Sequence, residues 1–396
     1  MSQTKFSYVR GAIFFALFIA VNFALWRLFF APSKGVFKLF TPMYGLSLAA
    51  VFYYCTVVMA DMFGFSPNDK NRDFRIMPLI YAAAAYVIIY YVFFWAFLGR
   101  YGVTYFSPYA IIDTGGTGAE IWNARENSSL AILYVATAFI FVTAVWNAGM
   151  GSFPWENSGR ITRGFSKLFA VSTFSVIIYA VLFHPNITAL FVPKQVYAGV
   201  NPWWEETAMT SSSFYHLGWI FFGVFALMLV ENCFDGRPLT YFRKEGRTGL
   251  LSGVAALALA VVAGFVLMNI SEMVMTYFWD EPFTGGNYTD DPRFRHLHAT
   301  EVAAFMMLGL MIVKVYFNNI KEFASRSTTY LTRFAAVLFA GLVIYLFYYS
   351  SLGPVFVDRV PGVGNVDDTS LCWTIMSIAI IYVHDRYLSA YPLRRV

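Results

Sequence analysis

The chain of 396 residues is 58% hydrophobic and only 13% charged, with a net charge of +5 and a mean hydropathy of +0.57. Soluble domains contain about 25% charged residues, so this composition excludes a soluble protein and predicts that lipid surrounds much of the surface. The basic residues are few and scattered, which gives no support to nucleic-acid binding.

Apolar runs of helical length recur along the chain. A helix needs about 20 apolar residues to cross about 30 Å of hydrocarbon, and a chain in lipid must satisfy its backbone hydrogen bonds internally. We therefore predict about ten transmembrane helices. The runs cover roughly 11–31, 39–61, 76–99, 129–150, 168–190, 211–233, 249–276, 298–318, 330–352 and 369–385. The first is longer than a signal-peptide core of about 7–15 residues, so we expect an uncleaved span.

Eight of these runs pair into four hairpins that repeat at a period of about 85 residues. In each pair the first run ends on a polar residue, and a basic loop follows. A fixed period marks tandem supersecondary units. We predict one all-α transmembrane domain over 1–396, and its parts are helix 11–31, hairpins 39–99, 129–190, 211–276 and 298–352, and final helix 369–385.

The basic residues indicate the orientation of the chain. The four hairpin loops carry thirteen Lys and Arg residues, whereas the loops on the opposite side carry eight. Basic loops remain in the cytoplasm, so both termini are expected there. The protein is then a multi-pass protein of a plasma or inner membrane, with the lipid bilayer as its first partner.

Titratable residues gather at the predicted outer ends of the later helices. His216 starts one run, Glu272 lies near the end of the next, and His298 and Glu301 begin the run after that, with His296 expected in the polar loop before it. Charged groups inside a membrane are costly and mark binding sites or proton relays. The first functional hypothesis is a transporter of a small polar or ionic solute. In it, Glu272, Glu301 and His298 bind solute or proton and His216 assists.

The same level of the membrane suits a metal or haem. If the segment is helical, His298 and Glu301 share a face at an i,i+3 spacing. Imidazole and carboxylate ligands are typical of transition metals. The alternative hypothesis is therefore a membrane-embedded redox enzyme, or its anchor subunit, with His184, His216, His298 and Glu272 as ligands. A third interpretation takes these histidines as interfacial or structural, so the sequence leaves open whether the protein is an enzyme and whether it holds a cofactor.

A second polar layer lies at the predicted inner ends of the helices. It consists of Asp61, Asn147, Glu231 and Asp385, with Asn318 at the equivalent point of the fourth hairpin. One interpretation is that each residue caps its helix or pairs with the arginines that follow. The other is that the repeat brings these positions together along one pathway.

The predicted outer loops are long and rich in glycine, proline and aromatic residues. They suit a partner subunit at the outer face, which makes a scaffold subunit of a larger complex the third functional hypothesis. The sequence contains neither a P-loop nor a dinucleotide fingerprint nor a Gly-x-Ser-x-Gly motif. Transport is the preferred hypothesis.

Overall fold

The computed structural model describes seven stretches of the chain and a few isolated positions. The stretches are 8–31, 133–183, 211–244, 249–278, 292–320, 323–357 and 366–386, and the isolated positions are 35, 80, 83, 84, 87, 88, 115 and 388. The predicted run 39–61 and most of 76–99 lie outside the described residues. So do Asp61 and His184.

Within the described stretches, all the regular elements are helices. In chain order they are α1 (Tyr8–Leu25), α2 (Leu133–Met150), α3 (Arg160–Leu182), α4 (Ser211–Asn232), α5 (Leu239–Lys244), α6 (Gly249–Phe278), α7 (Pro292–Tyr316), α8 (Arg326–Tyr349), α9 (Gly353–Val357) and α10 (Val366–Arg386). α1 continues into a π-helical turn at Trp26–Phe30, and the last turn of α2 is a π-helix at Trp146–Met150.

Seven of the described helices are long and apolar enough to cross a membrane: α1, α2, α3, α4, α6, α7 and α8. Each matches one of the predicted runs, so the prediction of an all-helical, multi-pass membrane protein is confirmed. α10 forms a helix where the run 369–385 was predicted. The total of ten spans stays a prediction, because α10 is not among these seven helices and two of the predicted runs lie wholly or mostly outside the described residues.

Burial alternates along the hairpins. The first helix of each described hairpin, α2, α4 or α7, has 61–83% of its apolar stretch buried, whereas the second helix, α3, α6 or α8, has only 17–28% buried. α10 is buried along most of its described length. We call α2, α4, α7 and α10 the core helices, and α1, α3, α6 and α8 the peripheral helices. α4 packs on α7, and α7 packs on α10.

The three peripheral helices of the hairpins touch the core through one narrow row of side chains. In each helix the eighth, twelfth and sixteenth residues are buried, and these are Lys167, Val171 and Ser175; Ala256, Ala260 and Gly264; and Arg333, Val337 and Gly341. A spacing of four follows a single row on a helix. The other faces expose large apolar side chains, such as Phe169 at 76% and Phe339 at 69%. Water would make such exposure costly, whereas lipid favours it.

Small residues let the peripheral helices approach the core helices closely. A Cβ atom on Gly309 of α7 would lie 2.5 Å from the backbone nitrogen of Gly341 on α8. A Cβ atom on Gly223 of α4 would lie 2.7 Å from the carbonyl oxygen of Ala260 on α6. Helix association in lipid depends on this kind of backbone contact, because the hydrophobic effect is weak there.

Candidate functional site

Glu301 is fully buried on α7, one turn beyond His298. Its Oε2 atom lies 2.8 Å from Nδ1 of His298, as their spacing predicts. The same oxygen accepts a hydrogen bond of 2.6 Å from the hydroxyl of Tyr349 on α8. Its Oε1 atom is buried and has no hydrogen-bond partner among the described residues. One carboxyl oxygen is therefore bound twice, and the other faces the protein interior without a donor.

Hydrogen bonds extend from this carboxyl group to a third helix. Nε2 of His298 lies 2.9 Å from the hydroxyl of Tyr345. The hydroxyl of Tyr349 lies 3.3 Å from Oγ of Ser370 on α10. We call these five residues, His298, Glu301, Tyr345, Tyr349 and Ser370, the Glu301 cluster. It joins two core helices and one peripheral helix at the end of the bundle where α7 begins.

Aromatic rings fill the space around the Glu301 cluster. The ring centroids of Tyr345 and Tyr349 are 4.8 Å apart, and those of Tyr348 and Tyr349 are 5.2 Å apart. Phe305, one turn beyond Glu301, lies 5.3 Å from the ring of Tyr345. These separations are typical of packed aromatic pairs. The fully buried carboxyl group is therefore bonded, through the Tyr349 hydroxyl, to one member of a packed group of rings.

A second carboxylate–histidine pair lies on another face of α7. Glu272 of α6 contacts Nδ1 of His296 through its Oε1 atom. The ring of Tyr215 on α4 packs against His296 at 5.2 Å, and Asn269 donates a hydrogen bond of 3.1 Å to the Tyr215 hydroxyl. The expectation that His296 lies in a loop was wrong: α7 begins at Pro292, and His296 is buried in its first turns. Residues two positions apart on a helix are rotated by about 200° around its axis. The side chains of His296 and His298 therefore contact different neighbouring residues.

The predicted metal ligands fall into separate contacts. Glu272 binds His296, His298 binds Glu301, and Nδ1 of His216 accepts a hydrogen bond of 2.9 Å from Trp219 on the same helix. Among the residues that the structure describes, no three His, Cys, Asp or Glu side chains lie close enough together to hold a metal ion. The fourth predicted ligand, His184, lies outside the described residues, so the metal hypothesis stays a prediction.

The described polar residues at the other end of the bundle include two with basic neighbours. Nζ of Lys167 on α3 donates a hydrogen bond to Oδ1 of Asn147. Lys314 of α7 lies 4.0 Å from the buried carboxylate of Asp385 on α10. Glu231 is exposed at the end of α4. Both contacts are with lysines, and that of Lys314 places an ion pair between α7 and α10. The expected capping or pairing with the arginines that follow stays a prediction.

A crevice lies between the four core helices. It is lined by Thr137 and Ile140 of α2, Ile220, Phe221 and Val224 of α4, Met307 of α7, and Ile375 and Ile378 of α10. Apart from Thr137, every lining residue is apolar. On α7 the crevice begins six residues beyond Glu301, which is about 9 Å along the helix axis. Along α7 and α10, this apolar crevice therefore lies between the level of the Glu301 cluster and that of the Lys314–Asp385 pair.

Sequence reasoning missed three members of the Glu301 cluster. Tyr345 and Tyr349 are four residues apart and so share a helix face, but the chain contains 26 tyrosines and nothing in the sequence singles these two out. Ser370 is one of several hydroxyl residues on α10. Their role depends on which helices are neighbours, and a single sequence does not encode that order in readable form.

No known protein family, curated protein or solved structure matches this chain. A functional conclusion therefore has to come from the chemistry of the site itself.

Proposed function

We propose that the protein is an integral membrane transporter of a small polar or ionic solute, with Glu301 and His298 at the centre of its site. The observation that carries the proposal is the buried carboxyl group of Glu301, whose Oε1 atom has no hydrogen-bond partner among the described residues. Burying a polar group without a partner costs about 1–3 kcal/mol. Proteins keep such a cost mainly where function requires it. Inside a membrane, ionisable residues typically mark ion or substrate pathways.

The distribution of charge along the core helices supports transport. α7 carries the Glu301 cluster at one end and Lys314 at the other, 13 residues or about 20 Å apart. Both ends bind α10, through Ser370 and Asp385 respectively. The crevice between them is lined almost entirely by apolar side chains. Two polar ends separated by an apolar crevice fit a transporter in a closed state, because ions leak through a continuous polar path.

The proposal includes the finer topology. We infer about ten spans in four tandem hairpins, with both termini and the basic loops in the cytoplasm of a plasma or inner membrane. The Glu301 cluster is then near the outer face, and the Glu272–His296 pair and His216 lie at the same end of the bundle in separate contacts. The excess of Lys and Arg in the hairpin loops supports this orientation. The alternation of core and peripheral helices in the described hairpins supports the repeat.

A solute screen on reconstituted protein tests the proposal. Proteoliposomes would be exposed in turn to amino acids, organic acids, sugars and inorganic ions. Charge movement would be recorded on a solid-supported membrane, and internal pH would be recorded with a trapped dye. We expect at least one solute class to give a signal that scales with the amount of protein and is absent from protein-free liposomes. Monodisperse, folded protein that responds to none of these classes would contradict the proposal.

A further inference from the structure

We propose that Glu301 binds a proton, which adds to Oε1 of its carboxylate. The group that Glu301 binds is then neither a metal cation nor the transported solute. This inference rests on the proposed function, since it names the coupling ion of that transporter. Three features of the Glu301 cluster lead to it: the space around the carboxyl group, the direction of its hydrogen bonds, and an Oε1 atom to which none of the described residues donates.

The first feature is space. The rings of Phe305, Tyr345, Tyr348 and Tyr349 pack against one another at centroid distances of 4.8–5.6 Å. The hydroxyl of Tyr349 bonds to the carboxyl group, and Glu301 has no exposed surface. A solute with several heavy atoms would have to separate these rings. A proton requires no space, so it can bind while the rings stay packed.

The second feature is the direction of the hydrogen bonds. Oε2 of Glu301 accepts a hydrogen bond from the Tyr349 hydroxyl and lies at hydrogen-bond distance from Nδ1 of His298. A metal cation instead needs a shell of several oxygen ligands with their lone pairs turned towards it; Ca²⁺, for example, takes 6–8. A hydroxyl that donates to Oε2 directs its hydrogen towards the carboxylate, where a cation would have to lie. A cation at Oε2 would therefore meet the hydrogen of the Tyr349 hydroxyl instead of a free lone pair.

The third feature is Oε1 itself. Since Oε2 already has two partners, the oxygen that remains for a proton is Oε1. A proton from water at this end of the bundle forms an O–H bond to Oε1, and no other bond breaks. The product is a neutral carboxyl group, which an apolar interior tolerates better than a carboxylate. Release returns the proton to water and restores the charge.

Among the described residues, titratable groups face this site from α7 and α8. α7 contributes His298, and α8 contributes Tyr345, Tyr348 and Tyr349. From α10 the contact is the hydroxyl of Ser370. Among the described side chains of this group Glu301 is the acidic one, and loss of a carboxyl signal in Glu301→Gln would assign that signal to it.

Infrared difference spectroscopy of the full-length protein tests the proton directly. Spectra would be recorded between acidic and alkaline pH, in sodium-free buffer and again with sodium added. A protonated carboxyl group gives a C=O stretching band that a carboxylate lacks. We expect such a band in the wild-type protein and its loss in Glu301→Gln. In Tyr349→Phe we expect the band to remain at a shifted frequency, because a hydrogen bond to the group is gone.

The outcomes separate this proposal from the proposed function. If no carboxyl band depends on Glu301, or if sodium removes the band at constant pH, the proton assignment is wrong. Solute transport that requires Glu301 without such a band overturns the proton and leaves the transporter. A Glu301 band in a protein that transports none of the tested solutes supports the proton and overturns the transporter.

Discussion

Replacing Gly309 by leucine is expected to prevent most of the protein from reaching its folded state. A Cβ atom at this position would meet three backbone atoms of α8, with distances of 2.5, 2.8 and 2.9 Å to Gly341 N, Val337 O and Gly341 Cα. Carbon atoms that are not bonded to each other normally stay about 3.5–4.0 Å apart. Because backbone atoms cannot rotate away as a side chain can, α8 would have to leave α7.

Overpacking of a core commonly costs about 1–3 kcal/mol, and this substitution adds a whole side chain against backbone. Leucine is a better helix former than glycine by up to about 1 kcal/mol, so any loss of stability has to come from packing. The measurement is the yield and melting temperature of the monodisperse peak in detergent. The control is Ala335→Leu, which adds the same side chain on an exposed face of α8. This variant should behave like the wild type. Equal behaviour of both variants would show that α7 and α8 are not in contact at this point.

A second large loss of stability is expected in Glu301→Ala, which shortens the side chain, but not in Glu301→Gln, which only removes its charge. Glu301→Ala removes the acceptor of the Tyr349 hydroxyl and the partner of His298 Nδ1, and it leaves a cavity among the rings. Each lost hydrogen bond costs about 1 kcal/mol and a buried cavity costs more, so we expect a destabilisation of about 2–4 kcal/mol. Glu301→Gln keeps the size of the side chain and one acceptor oxygen, and it should stay within about 1 kcal/mol of the wild type.

Thermal unfolding of the two variants in the same detergent decides this prediction. Glu156→Ala, in the exposed loop between α2 and α3, controls for the loss of a carboxylate as such. Comparable melting temperatures for Glu301→Ala and Glu301→Gln would mean that the carboxyl group is not held as the structure describes.

The helices themselves could be predicted from hydropathy, but their ends could not be predicted equally well. The run 168–190 corresponds to α3 at Arg160–Leu182, eight residues earlier at each end. Hydropathy excluded Arg160, Arg163 and Lys167 from the span, whereas in the structure Lys167 is buried and bonds to Asn147. A basic residue counts against a span in a hydropathy window even when a partner on a neighbouring helix stabilises it.

Only those contacts of the candidate site that lie within one helix could be predicted from the sequence. His298 and Glu301 meet because of their spacing on α7. Glu272 was grouped with His298, but its partner is His296, because α6 packs against a different face of α7. Tyr349 and Ser370 depend on the order of helices around the bundle. That order is a tertiary property, set by close contacts such as Gly309 with Gly341.

The most direct test of the account is solute uptake by Glu301→Gln in proteoliposomes, measured with a solute that the wild-type screen identifies. The variant should fold and melt like the wild type, yet its uptake should fall to the level of protein-free liposomes, because a glutamine cannot bind and release a proton. Glu156→Gln, reconstituted at the same density, should transport normally. Normal uptake by folded Glu301→Gln would contradict the claim that this buried carboxyl group carries the transport function.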